Sequence, residues 1–279
     1  MADAEAPVAA AAGATKNKIL FSFFWSIFSL VTTIQCDVDL FSAACGGDAG
    51  KTARSLAAVS GFMGVLGLFV NQIGGKLSDS IGRKPLFLLG PIVNTLCNFA
   101  NFKVGSRSLP LLIATKTLRL TFNTFSGSTM STAALMDITT PTEMAQMGAR
   151  MQCSAGIAVI LGPYAEVFIM NRIGGNVASR AFGVTSAMYL VQLLLMLVAL
   201  PETLLPAKRR SLAEFYGAIS NLNPLSFLQV YRGRNTALKQ LMLVNTLQCC
   251  AEGRCTSECA CCPCSCRCCP CCSCSCSSC

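Results

Sequence analysis

Six long apolar stretches, separated by short charged or Gly/Pro-rich breaks, run through the first 200 residues of this 279-residue chain. They cover residues 19–35, 56–77, 86–102, 109–135, 151–169 and 184–200. A helix that crosses a bilayer needs about 20 mostly apolar residues, with about 17 to 25 tolerated, and these stretches fall in or near that range. A water-soluble domain is not expected to contain six of them in succession. The pattern predicts a multi-pass, all-α membrane protein.

The composition excludes the main alternative. Residues of the hydrophobic types make up 53% of the chain and charged residues only 13%, whereas a soluble domain has about 25% charged residues. Too few polar side chains remain to cover a soluble core, so part of the apolar surface must face lipid. We therefore expect an integral membrane protein rather than a soluble enzyme, with no cofactor and no nucleic-acid partner.

The N-terminal segment and the loop charges predict the orientation. Residues 1–15 are Ala-rich and lack a basic region, so no cleaved signal peptide is expected, and residues 1–17 are predicted to be a disordered cytosolic segment. With the N-terminus inside, nine Lys and Arg flank the cytosolic ends of the segments and six flank the outer ends. Positive residues favour the cytosolic side. Both termini are therefore predicted to be cytosolic.

The most specific local pattern lies between the second and third segments, where residues 75–85 read GKLSDSIGRKP. Two glycines permit a tight reversal, a carboxylate at Asp79 can cap a helix N-terminus, and an arginine can hold a carboxylate through two hydrogen bonds. An ordinary basic turn would contain similar residues. The spacing also resembles the G-x-L-x-D-R-x-G-R-K loop of the major facilitator superfamily, although Ser80 replaces the family's first arginine. The matching positions are Gly75, Leu77, Asp79, Gly82, Arg83 and Lys84.

Three later stretches extend this resemblance over about residues 18–206. Residues 137–143, beginning with Asp137, resemble the family's D-I-T-P-P-E-E loop, and the stretch from Gly156 to Gly162 and Pro163 resembles its fifth-helix motif. Glu166 stands where the family has a small residue. Residues 200–204 resemble a sixth-helix ending of the superfamily. The resemblance implies one six-helix half of the fold, built from two inverted three-helix repeats, and secondary transport of a small solute by alternating access.

Polar side chains in the fourth segment form the candidate substrate pathway. They follow each other at three or four residues and share one helical face. Arg119 is expected near the bilayer middle, where a charge faces a cavity or a partner, and Lys116 is expected closer to the outer surface, within reach of Glu166. A purely structural arginine, bound to carbonyls or to Asn and Thr side chains, is the alternative. The complete candidate set is Lys116, Arg119, Asn123, Glu166 and Trp25.

Other acidic and small residues suggest less specific roles. Asp37 and Asp39, just beyond the first segment, are expected to form a solvated mouth. Since the chain has no His, coupling to protons would have to use a carboxylate. Ser60 and three glycines of the second segment permit close helix packing.

Beyond residue 206 the composition changes twice. Residues 207–248 resemble a basic cytosolic linker, and residues 238–247 resemble the beginning of a seventh span that is too short to cross. Residues 249–279 contain 15 of the 19 cysteines and are predicted to be disordered. Soft-metal binding, lipid acylation and an inert low-complexity extension all fit this tail. The candidate metal ligands are Cys261, Cys262, Cys264, Cys266, Cys268 and Cys269.

Alternating access needs a second bundle facing the first, and this sequence contains a single bundle. A working transporter would therefore pair two copies or recruit a second half, within the lipid bilayer and with a coupling proton or ion. A non-transporting membrane fragment or regulatory subunit is the first alternative. A membrane-tethered protein that binds soft metals through the tail is the second.

Overall fold

The computed structural model describes residues 2–174 and 177–204, together with residues 209, 211, 215, 236, 239–241, 243, 244 and 247. The chain divides into two compact units, Met1–Leu222 and Asn223–Cys279. In the second unit the described residues are helical. The Cys-rich tail, with its six candidate ligands, and most of the predicted linker lie outside the described residues.

Eight α-helices form the first unit, and the described residues include no strand. The predicted all-α class is therefore confirmed. Each apolar stretch falls on helices, and residues 2–17, which the composition predicts to be disordered, form the beginning of the first one. The helices are α1 (Ala2–Val31), α2 (Ile34–Ala44), α3 (Ala49–Ile81), α4 (Arg83–Val104), α5 (Leu109–Ser126), α6 (Ser128–Met136), α7 (Pro141–Ile169) and α8 (Ala178–Ala199).

The described helices provide four candidate membrane spans by length and apolarity, at Gly13–Ala44, Arg83–Arg107, Pro141–Arg172 and Ala178–Ala199. A fifth is the pair Ala49–Gly67 and Phe69–Ile81, bent by 43°. The remaining predicted span, the fourth segment over residues 109–135, is not a single helix that is long and apolar enough to cross a membrane. It divides at Gly127 into α5 and α6, and α5 carries Lys116 and Arg119.

Local sequence explains where several helices begin and end. Asp48 caps α3 by accepting a hydrogen bond from the Lys51 backbone N–H at 3.0 Å. At the start of α7, Thr140 and Glu143 form a reciprocal capping box that precedes the hydrophobic run. Gly82 separates α3 from α4 with a φ of 111°, a conformation that only glycine adopts easily.

The interior of the bundle has three levels. One apolar cluster includes Phe23, Leu86 and Met196, and a second cluster at the opposite end includes Phe41, Leu112 and Phe182. Between them along the helices lies a belt of buried polar side chains, which in a membrane must find partners on neighbouring helices. The belt contains Ser26, Ser29, Thr32, Thr33, Asp37, Asn94, Asn98, Asn101, Thr115, Arg119, Glu166, Thr185, Ser186 and Gln192.

The Gly162–Pro163 pair predicted as a motif lies where α7 packs closely on α1. A Cβ at Gly162 would lie 2.5 Å from Cγ1 of Val31, so only glycine fits there. Pro163 follows inside the helix. Glycine therefore sets the separation of these two helices at the level of the buried polar belt.

Candidate functional site

Asp37 and Arg119 form a buried ion pair within the polar belt. Arg119 Nη2 donates to both carboxylate oxygens of Asp37, at 2.7 and 2.6 Å, and Nη1 donates to Asn98 Oδ1 at 2.7 Å. Arg119 is 3% exposed and Asp37 is 7% exposed. A buried charge is tolerated only when a partner compensates it, and this pair provides mutual compensation.

Lys116 and two aromatic rings complete the surroundings of this pair. Lys116 Nζ lies 3.4 Å from Asp37 Oδ2 and 5.5 Å from the centre of the Phe41 ring, and the Arg119 guanidinium lies 5.2 Å from the centre of the Phe182 ring. Ring faces attract cations, so the aromatic groups share in stabilising both charges. We call Asp37, Asn98, Lys116 and Arg119 the charge cluster; its members come from α2, α4 and α5.

The charge cluster retains hydrogen-bonding capacity. Within the described part of the chain, Arg119 Nε and Asn98 Nδ2 are buried donors without an acceptor. Buried donors are normally satisfied, so two neighbouring ones mark a position suited to a ligand with acceptor oxygens. On the same face of α4, Asn101 Oδ1 accepts a hydrogen bond from Thr115 Oγ1 at 2.8 Å.

The structure corrects two expectations about acidic residues. Asp37 was expected at a solvated mouth and is instead buried against Arg119. Glu166 was expected to pair with Lys116, but its Oε1 accepts the backbone N–H of Cys36 at 2.6 Å. The reason is a helix break: α1 ends before Thr32–Thr33, and the new N-terminus of α2 exposes N–H groups that a carboxylate stabilises. Glu166, a departure from the superfamily motif, thus caps α2.

The remaining candidates of the substrate pathway form hydrogen bonds with residues outside the charge cluster. Asn123 Oδ1 accepts a hydrogen bond from Ser26 Oγ at 3.1 Å, which links α5 to α1. Trp25 Nε1 donates to the Met188 carbonyl at 3.0 Å, on the side of α1 that faces α8. The structure therefore brings together Lys116 and Arg119 but not Asn123, Glu166 and Trp25.

A second charged group lies at the α3–α4 turn and is centred on Arg83. Its Nε lies 3.0 Å from Asp137 Oδ2, and its Nη1 lies 3.0 Å from Asp79 Oδ1 and also contacts Ser78 Oγ. The resemblance of this loop to that of the superfamily predicts that Arg83 pairs with Asp137, and the structure confirms the pairing. Ser80, at the position where the superfamily has arginine, donates through its Oγ to the Lys76 carbonyl one turn earlier in α3.

Glu202 was not identified from the sequence, although it completes this group. It lies just beyond α8, where its Oε1 accepts the Arg83 N–H at 2.9 Å and its Oε2 accepts the Lys84 N–H at 3.2 Å. It therefore caps α4 from another part of the chain. The φ of 111° favours glycine at position 82, and a Cβ there would also displace the Glu202 carboxylate, because it would lie 2.5 Å from Oε2. In the sequence, Glu202 lies within residues 200–204, which resemble a sixth-helix ending of the superfamily, but that resemblance predicted no partner for it.

The other loop positions have simpler surroundings. Lys84 Nζ donates to the Leu197 carbonyl near the end of α8, at 2.9 Å. A Cβ at Gly75 would meet nothing within 4 Å in the described part of the chain. We call Ser78, Asp79, Arg83, Asp137 and Glu202 the end cluster.

Comparison with known proteins identifies the fold. The human organic anion transporter MFSD10 (TETRAN) superposes with a TM-score of 0.61 at 17% identity, covering 82% of this chain and 59% of that one. The peptide transporter POT, crystallised in complex with sulfate, superposes with a TM-score of 0.55 at 16% identity, covering 83% of this chain and 49% of that one. No protein-family model and no curated protein matches the sequence.

These similarities show that the bundle has the major facilitator fold, as the loop motifs predicted. They concern the fold alone, because sequence identity is low. The chain spans about half to three fifths of the length of the two transporters.

Proposed function

We propose that this chain is one bundle of a secondary transporter that moves a small solute across a membrane by alternating access. The charge cluster is the observation that carries the proposal. It lies inside a bundle that has the same fold as two transporters. Charges at this depth are rare in membrane helices and generally serve a substrate or ion pathway. We propose further that the role is not enzymatic and that both termini lie in the cytosol.

Asp37 is the proposed coupling carboxylate. It faces Arg119 and Lys116 together, so proton uptake would remove the negative charge that compensates both cations. The cations would then need another anion. Arg119 Nε and Asn98 Nδ2 are available as donors, which favours a solute carrying a carboxylate or a similar group.

The end cluster is the proposed conformational element. Arg83 joins the end of α3 to the residue after α6, and Glu202 joins the start of α4 to the end of α8. Ion pairs and caps of this kind can break and re-form as helices tilt. The residues that we assign to this element are Gly75, Asp79, Gly82, Arg83, Lys84 and Asp137. Gly162 and Pro163, at the contact between α1 and α7, are assigned to the same conformational change.

A second bundle is the proposed partner, supplied by another copy of this chain or by a separate half. In the described part, a Cβ at Gly61, Gly64, Gly148 or Gly156 would meet nothing within 4 Å. Small residues on a membrane helix permit close approach of another helix. These faces of α3 and α7 therefore fit packing against a second bundle better than packing within this one.

Uptake into liposomes that contain the purified protein tests the function. Fluorescein serves as an organic anion and labelled dialanine as a peptide, each with and without an inward proton gradient. We expect gradient-driven uptake of at least one probe, lost in Asp37→Asn. Asp39→Asn is the matched control, because Asp39 is exposed two residues away. A folded protein that transports neither probe, alone or as a cross-linked dimer, would favour the non-transporting fragment.

A further inference from the structure

A groove of about 270 Å³ lies between α1 and α8, separate from both charged clusters. Its walls are almost entirely apolar, and the side chains that form them include Phe21, Trp25, Leu195, Ala199 and Leu200. Phe21 is 49% exposed and Leu195 is 45% exposed, so the groove opens on the outside of the described bundle. In a membrane-spanning segment, such a surface faces hydrocarbon.

Two hydrogen bonds join α1 and α8 beside the groove and fix their relative position. Trp25 Nε1 donates to the Met188 carbonyl at 3.0 Å. One turn further along α8, Gln192 Nε2 donates to the backbone carbonyl of Ser22 at 3.2 Å. Gln192 is 2% exposed and Ser22 is 6% exposed. The two helices that form the groove are therefore held by polar contacts next to its apolar walls.

The mouth of the groove differs from its walls. Lys18 and Asn17 line it there and are exposed, one residue before the first apolar stretch begins. The Lys18 side chain is thus in reach of solvent where it borders the groove. Leu200, directly after α8, lies at the same end. A cation at the boundary of the hydrocarbon region reaches the level of lipid head groups.

We propose that this groove binds one membrane phospholipid with an anionic head group. The upper part of an acyl chain lies between Phe21, Leu195 and Ala199, and the phosphate contacts Lys18. Apolar walls below a single cation match the two ends of such a molecule in order and in polarity. Neither the proposed transport nor the charge cluster is needed for this binding.

Trp25 provides a built-in probe, because it is the only tryptophan of the chain and lines the groove. Seven residues separate it from Lys18, which places it about 10 Å along the helix from the mouth. The full-length protein is placed in bilayers containing a small fraction of phosphatidylglycerol or phosphatidylcholine, brominated in the upper acyl chain. We expect stronger quenching of Trp25 by the brominated phosphatidylglycerol at equal mole fraction.

Two variants and one matched control separate specific binding from general contact with lipid. Ala199→Phe fills the groove and is expected to reduce the quenching by at least half. Val198→Phe adds the same ring at a neighbouring position that is 89% exposed, and should leave quenching unchanged. Lys18→Gln should abolish the preference for phosphatidylglycerol while quenching by phosphatidylcholine persists. Circular dichroism establishes that each variant is folded.

Three results would overturn the proposal. One is equal quenching in Ala199→Phe and Val198→Phe. Another is a preference for phosphatidylglycerol that survives Lys18→Gln. The third is an absence of quenching by either lipid, which would mean that another segment or a second copy covers the groove. Soluble glycerol phosphate is added in a separate arm; if it removes the preference by itself, Lys18 recognises phosphate without the lipid and the proposal fails.

Discussion

The charge cluster and the end cluster both consist of an arginine held by aspartate, yet their environments differ. Arg119 has one carboxylate partner, Asp37, and both side chains are at most 10% exposed. Arg83 has two carboxylate partners, and the side chains of Asp79 and Asp137 are 34% and 21% exposed. The first arginine depends on a single anion, whereas the second shares its charge between two carboxylates that water also reaches.

This difference determines what each contact contributes. Removing Arg119 leaves a buried carboxylate that neither protein nor water can solvate, whereas removing Arg83, which is also buried, leaves two carboxylates that water can partly solvate. The same two residue types therefore have a large effect in the polar belt and a modest one at the helix ends. Variants at the two arginines measure that difference directly.

The largest effect is expected from breaking the buried pair. Arg119→Gln leaves Asp37 charged and without its main partner, so we expect a loss of about 3–5 kcal/mol in unfolding free energy. Denaturation in mixed micelles with increasing sodium dodecyl sulfate measures it. In the double variant Asp37→Asn, Arg119→Gln no uncompensated charge of the pair remains, and part of the stability should return. Single effects that simply add in the double variant would contradict the pairing.

A smaller loss is expected at the cap of α4. Glu202→Ala removes the acceptor of the Arg83 and Lys84 N–H groups and should lower stability by about 1–2 kcal/mol, as for the loss of an N-cap. Glu202→Gln retains one acceptor oxygen and should cost less.

Thr203→Val is the control for this cap. Its buried hydroxyl has no hydrogen-bond partner in the described part of the chain, so removing it should have little effect. A melting shift in detergent as large as that of Glu202→Ala would mean that the Glu202 cap is not the source of stability.

The effect of salt distinguishes the two clusters more sharply. Arg83 is itself buried, but Arg83→Gln leaves behind two carboxylates that water reaches, so it should destabilise by about 1 kcal/mol in dilute buffer and by less in 1 M salt, where charges in contact with solvent are screened beyond about 3 Å. The loss for Arg119→Gln should not change, since ions do not reach a buried pair. Melting temperatures of the detergent-solubilised variants at both salt concentrations test this, and an equal salt response at the two arginines would show that Arg119 is accessible to ions.

The fold and one of the clusters could be predicted because their signals are local. Spans follow from runs of apolar residues, and the pairing of Arg83 with Asp137 follows from loop spacings that resemble the superfamily. The partners of Arg119 could not be predicted in the same way. Asp37 is buried because α2 begins after a break at Thr32–Thr33, and the sequence gives no clear sign of that break.

Glu166 and Glu202 show the same limitation for helix caps that come from a distant part of the chain. Each caps a helix that begins more than 100 residues earlier in the chain. Local spacing can predict a cap within a few residues, as at Thr140 and Glu143, but a cap from another helix depends on how the bundle packs. Because this packing was not known from the sequence, Glu166 was expected to pair with Lys116. Its actual partner is a backbone N–H group.

The smallest losses of stability are expected at the two carboxylates that hold Arg83, and the two losses should differ. Asp79 lies one turn away in sequence and has the more exposed side chain, so Asp79→Asn should cost about 0.5 kcal/mol or less, as for an exposed i,i+4 pair. Asp137 connects the α3–α4 turn to the end of α6, so Asp137→Asn also releases a contact between distant elements and should cost more. Melting curves of the two variants, with Ser80→Ala as the uncharged control, measure the difference. Equal shifts for Asp79→Asn and Asp137→Asn would mean that Arg83 acts through its total charge rather than by joining these helix ends.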